Sequence, residues 1–320
     1  MPRRAFISLI LKVSGNVNAD AGIGTRIPMK KIVTWNKEVK AFVSPRCIRR
    51  CIRERLYEKG FEVDPLVLEE QLVDAADPVK YVDDDFFGYL APAEVKPRAG
   101  PIKVSHLIAL RHTEVKVEFA ARFAREFIPG APASYPVPFE IETAEWLGRL
   151  DVIVSERVGV FSEGELTESV LAKMGSEYKD LVEKFSVDNK TYYRLKRDER
   201  IKRLRAFLEI LLWEGWQFPR GAESSSVPEY YYGVIALTER FVPMFGYVDV
   251  DDYGRLREDG INAIVNLYGP LIDRLIVLDY REKSVTEFVK SDSEFKRVEK
   301  GLDHSAMEGV LKGICEYIVR

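Results

Sequence analysis

Four arginines recur on one side of a predicted helix near the start of the chain. Ser44 is a favourable N-cap residue and Pro45 suits the first helical position, so the sequence predicts a helix from there to about Lys59, ahead of Gly60. At about 100° per residue, four side chains fall in one narrow row, which we call the arginine stripe. The stripe consists of Arg46, Arg49, Arg50 and Arg53.

A row of guanidinium groups on a helix suits the phosphates of a nucleic-acid backbone. The stripe rises by roughly 10 Å, enough to meet about two consecutive phosphates of a single strand. The helix N-terminus at Ser44 adds N–H groups without helical partners and the positive end of the helix dipole. The opposite side of the helix is predicted to pack, because it carries Cys47, Ile48, Cys51, Ile52 and Leu56. The alternative interpretation is a solvated face with ordinary ion pairs.

Charge is distributed unevenly along the chain. Residues 1–60 hold 14 Lys/Arg and 4 Asp/Glu, a balance of +10, whereas the other 260 residues hold 34 and 47, a balance of −13. A basic N-terminal region on an acidic body is the electrostatic pattern of nucleic-acid contact. The loop and hairpin before the helix contribute to it through Arg26, Lys30, Lys31, Lys37 and Lys40.

Several classes of site are not supported by the sequence. It contains no GxxxxGK[ST] phosphate loop, no HExxH and no paired CxxC, so we expect neither a cofactor nor a metal. Three adjacent carboxylates, Asp83–Asp85, could hold Mg²⁺, but neighbours in an extended chain point to opposite faces, which favours a solvated acidic turn. Cys47, Cys51 and Cys315 are interpreted as core thiols of a cytoplasmic protein. No apolar run is long enough to span a bilayer, and no secretory signal is evident.

The order of predicted elements indicates an α+β fold. Strands at 4–13, 102–110, 149–161 and 230–240 and helices at 44–59 and 198–213 follow the β-α-β-β-α-β order of the ferredoxin-like plan, which RNA-recognition modules use. We therefore predict one RRM-like domain over residues 1–320, with insertions at about 60–100, 111–148 and 162–197 and a C-terminal extension from about 241. The connector 92–101 is predicted to be irregular and 163–185 to be helical except around Gly175. Residues 30–34 and 39–43 should form a hairpin whose tip residue, Trp35, either stacks on a base or covers the hairpin.

The N-terminal residues carry a resemblance to a known family. The opening strand is followed by Asn16-Val17-Asn18-Ala19-Asp20, then by Gly22, Gly24, Thr25-Arg26, a Lys30-Lys31 strand and Val43-Ser44-x-x-x-x-Arg49-Arg50-x-x-Arg53. This pattern resembles the N-terminal signature of the backbone subunit of Cascade, the type I CRISPR effector complex, in the RAMP superfamily. The segments 83–90 and 100–110 match more weakly, and the loop 221–226, which follows a long predicted helix, also matches. About a third of the chain is covered.

The resemblance implies a function and a set of binding residues. Several copies would assemble head to tail along one crRNA together with other Cascade subunits, an inserted hairpin called the thumb would kink the guide, and target DNA would be recognised through guide base pairing. This subunit would be non-catalytic. The RNA-binding residues implied or indicated by their charge are Asn16, Asn18, Arg26, Lys30, Lys31, Ser44, Arg46, Arg49, Arg50, Arg53 and Arg220.

Two other functions remain open from the sequence. Backbone subunits of the related type III complexes cut RNA with a loop aspartate, and Asp20 lies in the corresponding kind of loop, although an aspartate there also suits an Asx turn. Cleavage by histidine is disfavoured, because only His106, His112 and His304 exist, and packing or capping explains His106 and His304. The remaining alternative is a stand-alone RNA-binding regulator that uses the same basic surface.

Overall fold

The computed structural model describes residues 2–20, 22, 24–68, 72–122, 129–130, 135, 137–219, 226–291 and 294–320. Its α-helices are α1 (Pro45–Glu58), α2 (Val82–Phe87), α3 (Glu168–Lys173), α4 (Arg197–Glu209), α5 (Glu258–Tyr268) and α6 (His304–Ile318). Short 3-10 helices span Glu163–Glu165, Phe245–Tyr247 and Gly269–Leu271, and a π-helical turn, Ile210–Glu214, continues α4. Within the described ranges, no helix is both long and apolar enough to cross a membrane.

Twenty strands are found in the described part of the chain. The first ten are β1 (Arg4–Ser14), β2 (Arg26–Ile27), β3 (Lys31–Val33), β4 (Val39–Val43), β5 (Val67–Leu68), β6 (Leu72–Val73), β7 (Gly88–Ala91), β8 (Lys96–Ala99), β9 (Ile102–Val104) and β10 (Leu107–Ala109). The other ten are β11 (Lys116–Arg122), β12 (Val137–Thr143), β13 (Glu145–Ser155), β14 (Val160–Ser162), β15 (Val182–Val187), β16 (Lys190–Leu195), β17 (Glu229–Thr238), β18 (Arg274–Asp279), β19 (Ser284–Ser291) and β20 (Glu294–Gly301).

A large sheet with antiparallel pairing organises the molecule. Its strand order is β20-β19-β18-β17-β1-β13-β10-β4-β3, and β9 also pairs with β13. The apolar run of β1 lies in the middle, as predicted, because seven consecutive residues are buried and both of its edges are hydrogen-bonded. The chain is thus a mixed α+β protein.

Helices cover one face of this sheet and an irregular segment with α5 covers the other. On the first face, alternate residues of β1 such as Ile7 and Leu9 join Ile48 and Ile52 of α1 and buried residues of α4 and α6 in one core. On the second face, Phe6 and Ile10 join a separate core with residues 242–250, Ile261 and Ile264. Alternation along β1 therefore supplies both cores.

The segment 162–197 differs from the helical prediction. Only Glu163–Glu165 and Glu168–Lys173 are helical, and β14, β16 and β15 form a small antiparallel sheet. The hairpin turns at Asp188 and Asn189, whose φ values of 48° and 60° are those of a two-residue turn with both φ positive. The spacing of charged residues in this segment favoured a helix. The structure instead forms two strands, in which Phe185 and Tyr192 pair across the hairpin.

The connector and the C-terminal region also depart from prediction. Residues 92–101 are not irregular throughout, because Lys96–Ala99 pairs with Gly88–Ala91 as a hairpin. Within the C-terminal extension, the sequence analysis did not reveal the β19–β20 hairpin that extends the sheet to its edge. The strand predicted at 149–161 is two strands, β13 and β14.

Candidate nucleic-acid interface

Helix α1 begins and packs as its sequence predicts. Ser44 is the N-cap, with its Oγ accepting a hydrogen bond of 3.3 Å from the Cys47 N–H, and Pro45 occupies the first turn. All five apolar residues on the opposite side are buried. The three cysteines are free and buried, so the prediction of core thiols is confirmed. The helix therefore presents the arginine stripe away from the core.

Two arginines of the stripe are open to solvent. Arg46 is exposed and has no ion pair among the described residues. Arg50 pairs with Glu54 one turn later at 3.0 Å, and its side chain remains 67% exposed. An exposed pair of this kind contributes little and is easily exchanged for another anion. These two guanidinium groups are thus available to a phosphate.

The other two arginines are held against a buried acidic helix. Arg53 donates to Asp83 at 2.7 Å, its side chain is 34% exposed, and its guanidinium lies 5.1 Å from the Phe87 ring centre. Arg49 lies 5.9 Å from the same ring, and burial, followed by the charges of Arg53 and Arg46, lowers the pKa of its guanidinium. The stripe is therefore one structural row but two electrostatic classes.

The predicted acidic turn at Asp83–Asp85 is wrong, because these residues form the buried helix α2. A helix turns each neighbour by about 100°, so the three carboxylates point in three directions. Asp83 accepts from Arg53 and from the Asp64 N–H, Asp84 accepts from the Asp77 N–H, and Asp85 accepts from Arg98 and the Gly159 N–H. Each carboxyl group has its own hydrogen-bond donors, which helps to explain how three adjacent acidic residues can be buried.

One of these carboxylates meets two others from the preceding segment. Oxygens of Asp64, Asp74 and Asp84 lie within 4.8 Å of one another, and such oxygen ligands suit a hard cation such as Mg²⁺. Burial, and then the charges of Asp64 and Asp83, raise the pKa of Asp84 to about 9. A protonated Asp84 would relieve the repulsion in this cluster at neutral pH without a cation.

The loop before the helix is fixed to the strand β12. Asn16 donates through Nδ2 to the Ile27 carbonyl at 3.1 Å and to the Glu142 carbonyl at 2.8 Å. Asn18 has a left-handed φ of 54°, a conformation that asparagine tolerates better than most residues. Its Nδ2 is buried and finds no acceptor among the described residues. Asn16 is thus a structural residue in this arrangement, and Asn18 has an amide that no described side chain or backbone group satisfies.

Glu142 accepts hydrogen bonds from two basic side chains, Arg26 and Lys31. Its carboxylate accepts from Arg26 at 2.7 Å, from the Met29 N–H at 2.9 Å and from Lys31, while the residue itself is only 3% exposed. Burial alone would raise the pKa of this carboxyl, but the hydrogen bonds from Lys31, Met29 and Arg26 hold it below its usual value. Arg26 and Lys31 are therefore compensated cations.

The remaining residues predicted for the interface lie around the hairpin β3–β4 or outside the described residues. Lys30 is half-buried, and its carbonyl accepts from the Phe42 N–H. The Trp35 side chain at the tip is 96% exposed, so it does not cover the hairpin. The Asp20 backbone N–H donates to the Pro28 carbonyl at 2.9 Å. Arg220 and the loop residues 221–225 lie outside the described residues.

Comparison with known proteins identifies the family. The chain matches the family described as "DevR: CRISPR-associated negative auto-regulator DevR/Csa2" over residues 30–257. The chain belongs to the DevR/Csa2 family. The resemblance to a CRISPR-associated family drawn from the sequence is therefore confirmed. A search of the curated proteins finds no significant match.

Solved structures share the fold of this DevR/Csa2 chain. One is described as "CRISPR RNA-guided surveillance complex" and has a TM-score of 0.52, and another, "CRISPR RNA-guided surveillance complex, pre-nicking", has a TM-score of 0.55. In both cases the identity is 12%, and the similarity covers 97% of this chain and 99% of the other. At this identity the likeness concerns the fold alone.

Sequence reasoning did not assign two acidic residues to this site. Glu142 and Asp83 lie inside the matched region and set the charge of the interface, yet each is separated from its cation by a long stretch of chain. For Asp83 the signal was present, since three adjacent carboxylates beside Phe86-Phe87 are unusual for a surface turn. For Glu142 no local signal exists, because it is one glutamate in an acidic strand.

Proposed function

We propose that the protein is a non-catalytic backbone subunit of a type I CRISPR surveillance complex, Cascade, and that it binds the crRNA in the cytoplasm. One observation carries the proposal: α1 presents two solvent-open arginines, Arg46 and Arg50, beside its capped N-terminus at Ser44. Membership of the DevR/Csa2 family and the fold shared with surveillance-complex chains support this context. Exposed guanidinium groups next to a helix N-terminus are suited to backbone phosphates and would bind any sequence.

We further infer that the core is ferredoxin-like. The strands β17, β1, β13 and β10 are adjacent in that order, and neighbouring strands are antiparallel. Each parallel pair, β1 with β10 and β13 with β17, is therefore separated by a strand inserted between its members. This is the arrangement of a split β-α-β unit, with α1 in the first connection and α4 in the second.

We call the surface formed by the arginine stripe, Asn16, Arg26, Lys31 and Glu142 the cradle. It would consist of three parts with different roles. Arg46 and Arg50 would bind guide phosphates, while Arg49 and Arg53 would lend longer-range positive potential. Asn16, Glu142, Arg26 and Lys31 would fix the loop whose backbone borders the guide. Target DNA would be read by base pairing to the guide, with the protein contacting backbone shape.

The inserted hairpin β11–β12 is our candidate for the thumb. It is attached to the cradle because β12 pairs in parallel with β2 at Arg26 and Ile27. Its described strands expose apolar residues, including Phe119, whose side chain is 71% exposed, Val117 and Val137. Apolar side chains exposed on a projecting hairpin suit contact with unstacked bases or with a neighbouring copy. Head-to-tail copies would in that case share one RNA.

The test begins with the purified protein. Nucleic acid is extracted and sized, and binding to single-stranded RNA is measured against salt concentration. We expect RNA of discrete lengths in a multimeric peak and a log–log salt slope that falls by about 1.4 in an Arg46→Ala/Arg50→Ala variant, because two single-strand phosphate contacts are lost. Monomeric protein without RNA affinity at low salt would contradict the proposal.

A matched control removes the same charge elsewhere. Arg255 and Lys312 are exposed and each pairs with an acidic residue four positions away, like Arg50 with Glu54. An Arg255→Ala/Lys312→Ala variant should keep the salt slope of the unmodified protein. An equal loss in both double variants would show general attraction to RNA and no cradle.

The family description favours one second candidate, a stand-alone RNA-binding regulator. It includes the words "negative auto-regulator". A regulator using this surface would bind one transcript as a monomer or small oligomer, without a ladder of protein copies on RNA of fixed length. The oligomer size in the test above separates the two functions.

Catalysis by Asp20 is the remaining alternative, and we propose that it is absent. The Asp20 backbone closes a bridge between Ala19 and Met29 that shapes the loop, a structural reason for a residue there. Labelled target RNA incubated with Mg²⁺ or Mn²⁺ should remain uncut. Metal-dependent cleavage that disappears in Asp20→Ala would overturn the non-catalytic assignment.

A further inference from the structure

A basic cavity outside the arginine stripe shares no residue with it. It has a volume of about 620 Å³ and lies where the small sheet β14–β16–β15 meets the beginnings of β1 and α4. Five arginines line it against two glutamates, Glu156 and Glu165. The arginines are Arg3, Arg157, Arg194, Arg200 and Arg320. The cavity therefore has an excess of positive charge.

Arg200 is the buried cation of this cavity. The residue is 5% exposed, and its Nε and Nη2 donate to the carbonyls of Val158 and Glu156 at 2.7 and 2.6 Å. Within the part of the chain that the structure describes, Arg200 has no ion pair, and its hydrogen bonds are made by Nε and Nη2 and not by Nη1. Burial lowers the pKa of Arg200 to about 10; the negative charges of Asp85 and Glu156 oppose this shift, and the positive charges of Arg194 and Arg3 add to it. Because no carboxylate contacts Arg200 directly among the described residues, an anion in the cavity would add a direct partner to the longer-range charges of Asp85 and Glu156.

The other lining arginines are only partly compensated. Arg3 pairs with Glu156 at 3.0 Å and Arg157 with Glu165, each through part-exposed side chains. Arg194 pairs with Glu183 at 2.8 Å, a carboxylate outside the lining, and is 44% exposed. Exposed pairs of this kind are weak, so their guanidinium groups can turn to a bound anion.

A flat aromatic surface borders the same cavity. Phe185 and Tyr192 face each other across the hairpin with ring centres 5.5 Å apart and planes inclined by 22°. The Arg194 guanidinium lies 5.3 Å from the Phe185 ring centre, which makes a stack of three flat groups. Phe185, Tyr192 and Arg194 all line the cavity. A planar heterocycle could extend it at either end.

We propose that this cavity binds a nucleotide unit, with its phosphate on Nη1 of Arg200 and its base on the Tyr192–Phe185–Arg194 stack. The volume lies within the range of small-ligand sites. The unit is either a free nucleoside monophosphate or the phosphorylated end of an RNA strand. The proposal is independent of guide binding on α1, since the two sites share no residue. An acidic peptide would satisfy the charge but would leave the aromatic stack unused.

The first experiment uses the full chain, cleared of nucleic acid, and calorimetric titration with AMP, inorganic phosphate and adenosine. We expect AMP to bind more tightly than either part alone. Tyr192→Ala should weaken AMP by about tenfold through loss of stacking, with little change for phosphate. Arg194→Ala should weaken both AMP and phosphate. Arg200→Ala removes the proposed phosphate ligand directly, but Arg200 is buried and this variant could fail to fold. Tyr192 and Arg194 are part-exposed on a hairpin, so their variants test the proposal in that case as well.

The matched control is Lys184→Ala. Lys184 lies on β15 beside Phe185 but points to the other face of the small sheet, where its Nζ is 5.8 Å from the Tyr193 ring centre. This variant removes one charge from the same strand and should bind AMP as the unmodified protein does. The Arg46→Ala/Arg50→Ala variant should also bind AMP normally.

The second experiment separates the two sources of the nucleotide. A short RNA is compared with a 5′-phosphate and with a 5′-hydroxyl end, in the unmodified protein and in Tyr192→Ala. Sensitivity of AMP to Tyr192→Ala supports a free nucleotide, and sensitivity of the 5′-phosphorylated RNA alone supports a strand end. The proposal is overturned if neither ligand responds to Tyr192→Ala, or if polyglutamate binds in preference to AMP. Loss of AMP binding only in the α1 variant would overturn it while leaving the guide-binding function intact.

Discussion

The arginine stripe of α1 and the loop–hairpin segment before it carry similar positive charge, but the structure treats these charges differently. On the outer part of the stripe, Arg46 and Arg50 face solvent; among the described residues Arg46 has no ion pair and Arg50 has one exposed pair, with Glu54. In the loop, Arg26 and Lys31 are both held by the buried Glu142. This difference shows that the number of basic residues in a sequence gives only the total positive charge. The buried carboxylates that pair with some of these residues determine how much of the charge is available to a ligand.

Arg53 joins the two regions, because it belongs to the stripe by spacing and to the compensated class by contact. Its partner Asp83 is buried and also accepts from the Asp64 N–H, so releasing Arg53 to a phosphate would leave a buried carboxylate without its cation. The buried acids Asp83 and Glu142 thus act as fixed anchors that shape the cradle.

The largest effect should follow removal of the loop anchor. Glu142→Ala leaves Arg26, Lys31 and the Met29 N–H without an acceptor, and we expect a loss of about 3 kcal/mol in the free energy of unfolding. Urea denaturation followed by tryptophan fluorescence measures it. Glu140→Ala on the same strand, where the glutamate is exposed and has no ion pair among the described residues, should change stability by less than about 0.5 kcal/mol. Equal effects of the two changes would show that Glu142 is not an anchor.

A second effect concerns the acidic layer beneath Arg53. Because the folded pKa of Asp84, about 9, lies above its unfolded value of about 3.9, the folded state binds an extra proton between these values. This contribution to stability is fully present below about pH 4 and is lost as the pH rises towards 9. We expect unfolding free energies to fall by about 1 kcal/mol per pH unit from pH 6 to 8.

The matched variant for this pH dependence is Asp84→Asn, which keeps the shape but cannot titrate. Urea unfolding of the variant should show a clearly flatter dependence on pH between 6 and 8. A slope as steep as in the unmodified protein would mean that Asp84 is already ionised in the folded state and that another group carries the pH dependence.

Single substitutions within the stripe sharpen the comparison further. Arg46→Ala should weaken single-stranded RNA binding by about tenfold at low salt, whereas Arg53→Ala should weaken it by less than about threefold, because Arg53 is already engaged by Asp83. Fluorescence anisotropy at several salt concentrations measures both. The free energy of unfolding should fall more in Arg53→Ala than in Arg46→Ala, since only Arg53→Ala leaves a buried carboxylate, Asp83, without its cation. A larger RNA effect for Arg53 would show that the Asp83 pair opens on binding.

The parts of this arrangement that depend on neighbours in sequence were predictable. The cap at Ser44, the apolar side of α1, the buried run of β1 and the helix α4 follow from propensity and periodicity. The anchors were not predictable, because Glu142 meets Arg26 only after β12 pairs with β2, and Asp83 meets Arg53 only after α2 packs under α1. The same applies to the strands β15 and β16, where cross-strand pairing overrides a pattern that favoured a helix.

The smallest effect on stability is expected at the hairpin tip, where Trp35 is exposed. Trp35 has 96% of its side chain exposed, so Trp35→Ala should change the free energy of unfolding by no more than about 0.5 kcal/mol. RNA affinity should fall by about fivefold if the ring stacks on a base, as such rings do at about 1–3 kcal/mol each. Unfolding and anisotropy measured on the same variant distinguish these terms. Trp35→Phe should keep most of the affinity, because it retains a stacking face. Unchanged RNA binding in both variants would show that Trp35 is not part of the interface, which would then rest on the exposed arginines Arg46 and Arg50.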